Sequence, residues 1–442
     1  VWAARLIGSK RVDQTDEARY PPAGVGSGGR RRINLKRIIF LMSDTGGGHR
    51  AAAEAVKAAV LSHHEADIQL VDVFRNYSPF PFKYMPEFYP WLVNHSKSSW
   101  GMGYKLLDSR RVSRTAARGM YATMETRLKQ MVLEHPADVI VSFHSVITRP
   151  SLQALLRLEK RPPFLVVVTD LVTTPMFWYD RRSDFTFVPT QTAFERGLYA
   201  GVKDTNMQIT GLPVHPNFEK SLPPKAEARA SLGWDPHLPA IIIVGGGEGM
   251  GPIYKTARTL NDMRLKCQIA VVAGRNKPLK AQLEASEWNQ PTYIYPFVND
   301  MPRLMAAGDV LVTKAGPGTI SEACIAGLPM ILYDAIPGQE DGNVTFVVDN
   351  QIGAFCPSPH EVADTAAEWL AAGELRLQKL SRNAKRAARP KAVWEIAKQV
   401  WDYAQKPPII NERRKFLDDV RVVANEFYRD VAEITKNWTA VD

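Results

Sequence analysis

The sequence predicts an α/β fold of two Rossmann-like lobes whose parallel sheets face a central cleft. Three observations carry that expectation. Short, mostly β-branched runs alternate with segments whose apolar residues recur three and four apart, which implies right-handed β-α-β crossovers and a parallel sheet covered on both faces. The alternation runs twice, separated by a proline-punctuated stretch between Pro213 and Pro239. A chain of 442 residues is also too long for one ordinary core.

Taken in order, residues 1–35 read as a flexible basic tail. "YPPAGVGSGG" has no helical or strand period, and the tail lacks the apolar core of a secretory signal. Residues 36–213 form the first lobe, with expected strands at "RIIFLMS", "IQLVDV", "DVIVSFH", "FLVVVTDL", "FTFVPT" and "MQITGLPV" and helical patterns at 51–61 and 120–133. Between 74 and 119 this rhythm breaks: many aromatic rings and prolines precede Lys97, Lys105, Arg110, Arg111, Arg114 and Arg118, set against Asp108. Residues 214–405 form the second lobe, with strands at "AIIIVGGG", "QIAVVAGR", "TYIYPF", "DVLVTKAG" and "PMILYDA". Residues 406–442 read as a C-terminal helix, because Phe416, Val420, Val423, Phe427, Val431, Ile434 and Trp438 make one apolar stripe suited to packing across a lobe. Ligands of such sheets bind beyond the carboxyl ends of the strands, so two facing lobes share one cleft.

Charge narrows the partners. With 56 Lys+Arg against 46 Asp+Glu the formal charge is +10, which favours an anionic partner: a nucleotide, an acidic lipid surface or a nucleic acid. No apolar run approaches the ~20 residues needed to span a bilayer. Cys267, Cys324 and Cys356 are odd in number and lack C-x-x-C spacing, so neither a disulfide frame nor a zinc site is expected and a reducing cytoplasm fits.

Four motifs carry chemistry. "IIIVGGGEGMGP" puts Gly247, Glu248 and Gly249 after a strand and before a helix from Ile253; glycines let backbone amides approach a phosphate, and a helix N-terminus adds partial positive charge. It is neither G-x-G-x-x-G nor a G-K-[ST] loop, and a purely structural turn is the alternative. "VLVTKAGPGTISEACIAGLP" is a second such turn, with Gly316, Gly318 and Thr319 at a helix start and Glu322 one turn on; Glu322 is a ribose-gripping carboxylate or a charge on the helix dipole. "AIPGQEDGN" gathers Gln339, Glu340, Asp341 and Asn343, amide and carboxylate groups able to bond several sugar hydroxyls, or simply a solvated turn. "MSDTGGGHRAAAEA" ends a strand in three glycines and His49.

"MSDTGGGHRAAAEA", "GLPVHP", "GGGEGMGP", "AGRNK", "TKAGPGTISEA", "GLPMILYD" and "GQEDGN" occur in one order over about residues 36 to 405. Together they resemble the monogalactosyldiacylglycerol synthases and, more widely, the inverting family 28 glycosyltransferases of the GT-B fold. The resemblance implies transfer of galactose from UDP-galactose to 1,2-diacylglycerol without a metal, a UDP-glucose-dependent enzyme being the alternative. It places Gly247, Glu248, Gly249 and the amides of 316–319 near the UDP phosphates, Glu322 on the ribose, and Arg275, Asn276, Phe297 and Val298 near the uracil. Gln339, Glu340 and Asn343 would face the hexose.

In that frame Gly47 and Gly48 thin the first-lobe turn so that acceptor and sugar phosphate can meet, and His49 stands where a hydroxyl loses its proton, its ordinary pKa of about 6.5 lying close to operating pH. A role in lipid contact is the other reading of His49. Asp170, ending "VVVTDL", either orients that histidine, acts as base itself, or caps a turn. His144 in "SFHS" is a candidate for the acceptor site. The aromatic and basic segment, with Pro81, Trp91, Arg110 and Arg111, and Trp178 in "TPMFWYDRR", reads as a monotopic contact with an anionic membrane on its cytoplasmic side, or as a packed insertion. A nucleic-acid-binding scaffold is the rival from another class, but the arginines gather in the tail and the insertion rather than around the glycine turns, so no nucleic acid is expected.

Overall fold

The computed structural model describes residues 35–45, 47–87, 101, 104, 108–220 and 222–411. Residues 1–34 of the predicted tail, residues 412–442 of the helix expected over 406–442, and Trp91 lie outside them; residues 406–411 of that expected helix are described and are not helical. The first sheet contains β1 (Lys36–Met42), β2 (Ala66–Asp72), β3 (Val139–Ser142), β5 (Phe164–Val167), β6 (Phe185–Val188) and β7 (Met207–Ile209). Its order is β2-β1-β3-β5-β6-β7 and every pairing is parallel.

The second sheet contains β8 (Ala240–Val244), β9 (Gln268–Val272), β10 (Thr292–Tyr295), β11 (Val310–Lys314), β12 (Met330–Asp334) and β13 (Gly353–Phe355). Its order, β10-β9-β8-β11-β12-β13, is again wholly parallel. The strands read as unbroken apolar runs because helices cover both faces: all five residues of β8 and of β9 are buried, as parallel sheets require. The two lobes belong to one compact unit that begins at Leu35.

Three features lie outside the sequence expectations. The edge strand β13 is only three residues long, and β4 (Lys160–Arg161) pairs antiparallel with β14 (Ile409–Ile410); neither is long enough to show a period. The division at 214–405 assigned the helix Ala392–Ala404 to the second lobe. Its apolar stripe, Val393, Ile396, Ala397, Val400 and Ala404, instead packs with Ile38, Phe40 and Val139 in the core of the first, so the chain crosses between lobes twice. Finally, the basic segment from Arg110 is the start of a 25-residue helix, Arg110–Glu134, which buries Ser113, Ala117, Tyr121, Met124, Leu128 and Met131.

Strand order fixes where a ligand can sit. In each sheet the chain builds outward in one direction and then the other, leaving a crevice between the carboxyl ends of the two strands at the switch. In the first sheet the switch lies between β1 and β3, in the second between β8 and β11. The loops that leave those four strands are the ones that hold His49, His144, the "GGGEG" turn and the "KAGPG" turn.

Candidate active site

In the second lobe the turn after β8 is closed by Met250 N–H donating to Gly245 O at 2.9 Å and Gly249 N–H to Gly246 O at 3.1 Å. The amides of Gly247 and Glu248 are left at its tip. Gly249 sits at φ +61°, and a Cβ there would lie 2.1 Å from Ala273 O, so the turn interlocks with the one after β9. That second turn is tied in by Arg275 N–H donating to Gly247 O at 2.9 Å and by Asn276 Nδ2 donating to Gly249 O at 3.4 Å. The Arg275 guanidinium lies 4.2 Å from the centre of the exposed Phe297 ring and pairs with Glu248 at 2.8 Å. Val298 is half-buried against the lobe's core. A planar base has an aromatic ring and a guanidinium plane to stack on here.

Beyond β11 the helix Pro317–Ala326 starts at Gly316 with no side-chain cap. The first N–H groups of a helix have no intrahelical partner, so those of Gly318 and Thr319 point out of its end with the dipole behind them, as an anion requires. The Gly316 N–H is excluded from that set, because it donates to Lys314 O at 2.8 Å. A Cβ on Gly318 would meet nothing within 4 Å; packing gives no reason for a glycine, whereas room for a ligand does. Burial pushes the Glu322 carboxyl up to about 7.

The "GQEDGN" loop differs from its expected role. Glu340 is 3% exposed; one of its oxygens accepts from Lys314 Nζ at 2.9 Å and the other from Ile336 N–H at 2.9 Å. Asn343 is 1% exposed and its Nδ2 donates to Ala315 O at 2.9 Å. Both side chains are thus turned under the "KAGPG" turn, because a buried carboxylate and amide have to find partners. Gln339 faces the first lobe, where its side chain hydrogen-bonds the Asp170 carboxylate.

In the first lobe Asp44 grips Arg50 with both oxygens, at 2.6 and 2.9 Å, and that guanidinium holds the Asp44 carboxyl below the usual range. The clamp shapes the glycine turn. The helix Gly48–Leu61 then begins at Gly47, in the left-handed region and again without a side-chain cap, and Cβ atoms on Gly47 or Gly48 would meet nothing within 4 Å. His49 is half-buried. Its Nδ1 lies 2.8 Å from Thr169 Oγ1 and its ring 4.3 Å, centre to centre, from that of His144. Burial pushes its pKa down to about 4, so the imidazole is neutral over the ordinary range.

His144 is buried beneath it. Its Nε2 lies 2.8 Å from Thr45 Oγ1, its Nδ1 accepts from Val146 N–H at 3.3 Å, and burial lowers its pKa well below 6.5. Both ring nitrogens are occupied, so His144 supports His49 from below.

Asp170 does not orient His49. The imidazole turns to Thr169, while the Asp170 carboxylate accepts from Trp178 Nε1 at 2.6 Å and from Gln339. Burial raises its carboxyl to about 6. Trp178 itself is 0% exposed, which corrects its expected place on a membrane surface: an indole N–H buried with a carboxylate gains more than a ring left in water. Of the other expected surface residues, Pro81 and Arg111 are exposed and Arg110 is half-buried, its guanidinium 5.0 Å from the centre of the Tyr199 ring.

The two halves meet. Besides Gln339 on Asp170, Gly342 N–H donates to Thr173 Oγ1 at 3.2 Å, and the Arg275 charge reaches Asp44. Residues of the insertion lie at the same seam: Tyr104 Oη donates to Thr173 O at 3.1 Å, and a Cβ on Gly338 would lie 3.4 Å from the Tyr104 ring. Sequence reasoning missed Lys314, Thr169 and the Trp178–Asp170 bond; for Lys314 a signal existed, a lysine closing an otherwise apolar strand. Among the described residues no group of three or more His, Cys, Asp or Glu is placed to hold a metal ion, and no helix is long and apolar enough to cross a membrane.

The geometry has counterparts. A family model described as monogalactosyldiacylglycerol (MGDG) synthase matches residues 49–214, and one for the glycosyltransferase family 28 C-terminal domain matches 240–399. The chain is 40% identical over 390 residues to a probable chloroplastic monogalactosyldiacylglycerol synthase of Glycine max, covering 85% of this chain and 73% of that one. It is 40% identical over 374 residues to the chloroplastic monogalactosyldiacylglycerol synthase of Spinacia oleracea, covering 82% and 71%. Among solved structures, MurG of Acinetobacter baumannii superposes with a TM-score of 0.55 at 14% identity, over 83% of this chain and 100% of that one. The glycosyltransferase SnogD of Streptomyces nogalater gives 0.51 at 15%, over 83% and 99%. At such identities these two speak for the fold alone, the two-lobed GT-B arrangement.

Proposed function

Because the chain belongs to the monogalactosyldiacylglycerol synthase family, we propose that it transfers galactose from UDP-galactose to the free hydroxyl of diacylglycerol at a membrane surface, inverting the anomeric centre. The observation that carries this reading is the pairing of two crevices. Uncapped amides at Gly247, Glu248, Gly318 and Thr319 lie at the switch point of one sheet, and the unprotonated side chains His49 and Asp170 lie at strand ends of the other, joined through Gln339.

In the proposed reaction the acceptor hydroxyl loses its proton to Asp170, whose carboxyl at about 6 is ionised at neutral pH yet basic enough to take a proton. His49, neutral because of its lower pKa of about 4, takes no proton in the step and positions the acceptor beside Asp170. The oxygen attacks the anomeric carbon from the face opposite UDP. Amide dipoles and the helix terminus stabilise the departing diphosphate, as an oxyanion hole does, and we assign that task to them without a metal. Glu322 takes the ribose hydroxyls, while the stacked pair of Arg275 and Phe297 offers one face for the uracil.

The acceptor reaches the cleft from an exposed rim. Phe80 is 78% and Tyr84 51% exposed, Lys83 Nζ sits 4.7 Å from the centre of the Tyr84 ring, and aromatic rings beside cations suit an anionic bilayer surface. This reading makes the protein a peripheral, monotopic enzyme.

The test is turnover in vesicles containing diacylglycerol and anionic lipid, supplied with UDP-galactose or UDP-glucose. Formation of β-galactosyl diacylglycerol, with UDP-galactose preferred, is expected. Transfer of glucose in preference, or of neither sugar, would overturn the assignment.

A further inference from the structure

Lys314 is the last residue of β11 and stands between the two glycine turns. A Cβ added to Gly316 would lie 3.4 Å from its Nζ, and one added to Gly246 would lie 3.7 Å from its Cε. Its ammonium is 2.9 Å from the Glu340 carboxylate, with the lysine side chain 23% exposed and that of the glutamate 4%. The glutamate is fixed in turn by Ile336 N–H, and Asn343, in the first turn of the helix Asp341–Asp349 that follows, bonds Ala315 O and leaves a buried Oδ1 without a partner. Glu340 and Asn343 were expected to face a hexose. They are spent instead on the residues at the end of β11.

A side chain of four methylenes could have carried its charge out to water, as lysines ordinarily do. Here it is turned back under the switch-point crevice and held there by a buried anion. A cation so placed is preorganised: it loses no freedom and sheds little water when charge develops beside it. The pair is half open, since one face of the ammonium meets Glu340 and the lysine keeps partial access to the cleft.

We propose that Lys314 is a catalytic residue that binds the β-phosphate of the UDP donor and neutralises the charge gathering there as the glycosidic bond breaks, with Glu340 as its positioning residue. This rests on the UDP-sugar reading above. As the acceptor oxygen bonds to the anomeric carbon, the C–O bond to the β-phosphate breaks and its electron pair stays on the phosphate oxygen. The acceptor's proton goes to Asp170. Lys314 trades part of its bond to Glu340 for the terminal phosphate.

The experiment measures UDP and UMP affinity by calorimetry, and turnover of UDP-galactose, in the full chain and in K314M, K314R and E340Q. K314M is expected to lose about tenfold or more in UDP affinity with UMP affinity nearly unchanged, because only UDP carries the β-phosphate. Its kcat is expected to fall about 10²- to 10³-fold, the usual effect of removing one such donor. K314R should recover part of both, and E340Q should lower kcat more than it raises KM. If the unaltered chain binds no UDP, the donor reading itself fails. If that chain binds UDP while K314M loses UDP and UMP affinity equally, or loses neither and keeps its kcat, the lysine assignment is overturned. The ratio is read within one variant, so a loosened fold cannot imitate it.

Discussion

The two lobes share a topology but solve their chemical tasks with different parts of the chain. Both place their working loops at the carboxyl ends of a six-stranded parallel sheet, at its switch point or one strand beyond it. In the proposed reaction the second lobe meets the diphosphate chiefly with backbone: amides of Gly247, Glu248, Gly318 and Thr319, exposed because two turns are built from glycine and one helix is left uncapped, with the Lys314 side chain beside them. In the same proposal the first lobe meets the acceptor with side chains, His49 and Asp170, each shaped by burial and by neighbours from other elements, Thr169, His144 and Trp178. Binding a diphosphate calls for many fixed dipoles. Moving one proton calls for one group of tuned basicity.

That division predicts which variants break which step. The largest effect is expected at Asp170: D170N should lower transfer about 10²- to 10⁴-fold, the range for a general base, while UDP affinity stays unchanged. The pH profile sharpens the point. With the Asp170 carboxyl raised to about 6, kcat/KM should fall as pH drops through about 6, because the base becomes protonated. His49 titrates near 4 and is too acidic to give that limb. D170N should abolish the limb and H49A should leave it in place. An acid limb that survives in D170N and vanishes in H49A would return the base to the histidine.

Next in size is a backbone change in the other lobe. G249A must hold a Cβ at φ +61° and 2.1 Å from Ala273 O. It should destabilise the fold by about 1–3 kcal/mol and weaken UDP binding, measured by thermal unfolding and calorimetry. Asp170 variants should show no such loss of UDP binding.

G318A should separate stability from function. Its Cβ meets nothing within 4 Å, and alanine is favoured over glycine in a helix by up to about 1 kcal/mol, less in a first turn. The variant should melt at an equal or higher temperature yet turn over more slowly, since the methyl occupies ligand space. A variant that is fully active would mean the glycine is there for another reason.

The smallest effect belongs to the rim. Replacing the exposed Phe80 and Tyr84 by serine should weaken vesicle binding by a few kcal/mol at most, leaving UDP affinity untouched.

The comparison also explains what the sequence disclosed. Glycine turns after apolar strands are local patterns, so β8, β11 and the helix from Ile253 could be read directly, as could nine further strands with their carboxyl-terminal loops. The first-lobe site is a product of tertiary contacts 120 residues apart in the chain, as between His49 and Thr169, and no spacing announces it. Trp178 misled for the same reason. A tryptophan beside arginines looks like a membrane anchor until the fold sets its N–H against Asp170. Glu340 and Asn343 sat in a polar loop expected to face a sugar, and only the packing of that loop under β11 shows them buried. The return of the helix Ala392–Ala404 to the first lobe was hidden because an apolar stripe names a face and not the surface it covers.

The central claim is that the diphosphate is held by one lobe and the acceptor proton is taken by the other. Its most direct test is a calorimetric titration of UDP into the unaltered protein and into the H49A, D170N double variant. The account predicts the same affinity in both, although the double variant no longer transfers sugar. Absence of UDP binding in the unaltered protein, or a loss of affinity in the double variant as large as its loss of turnover, would contradict it.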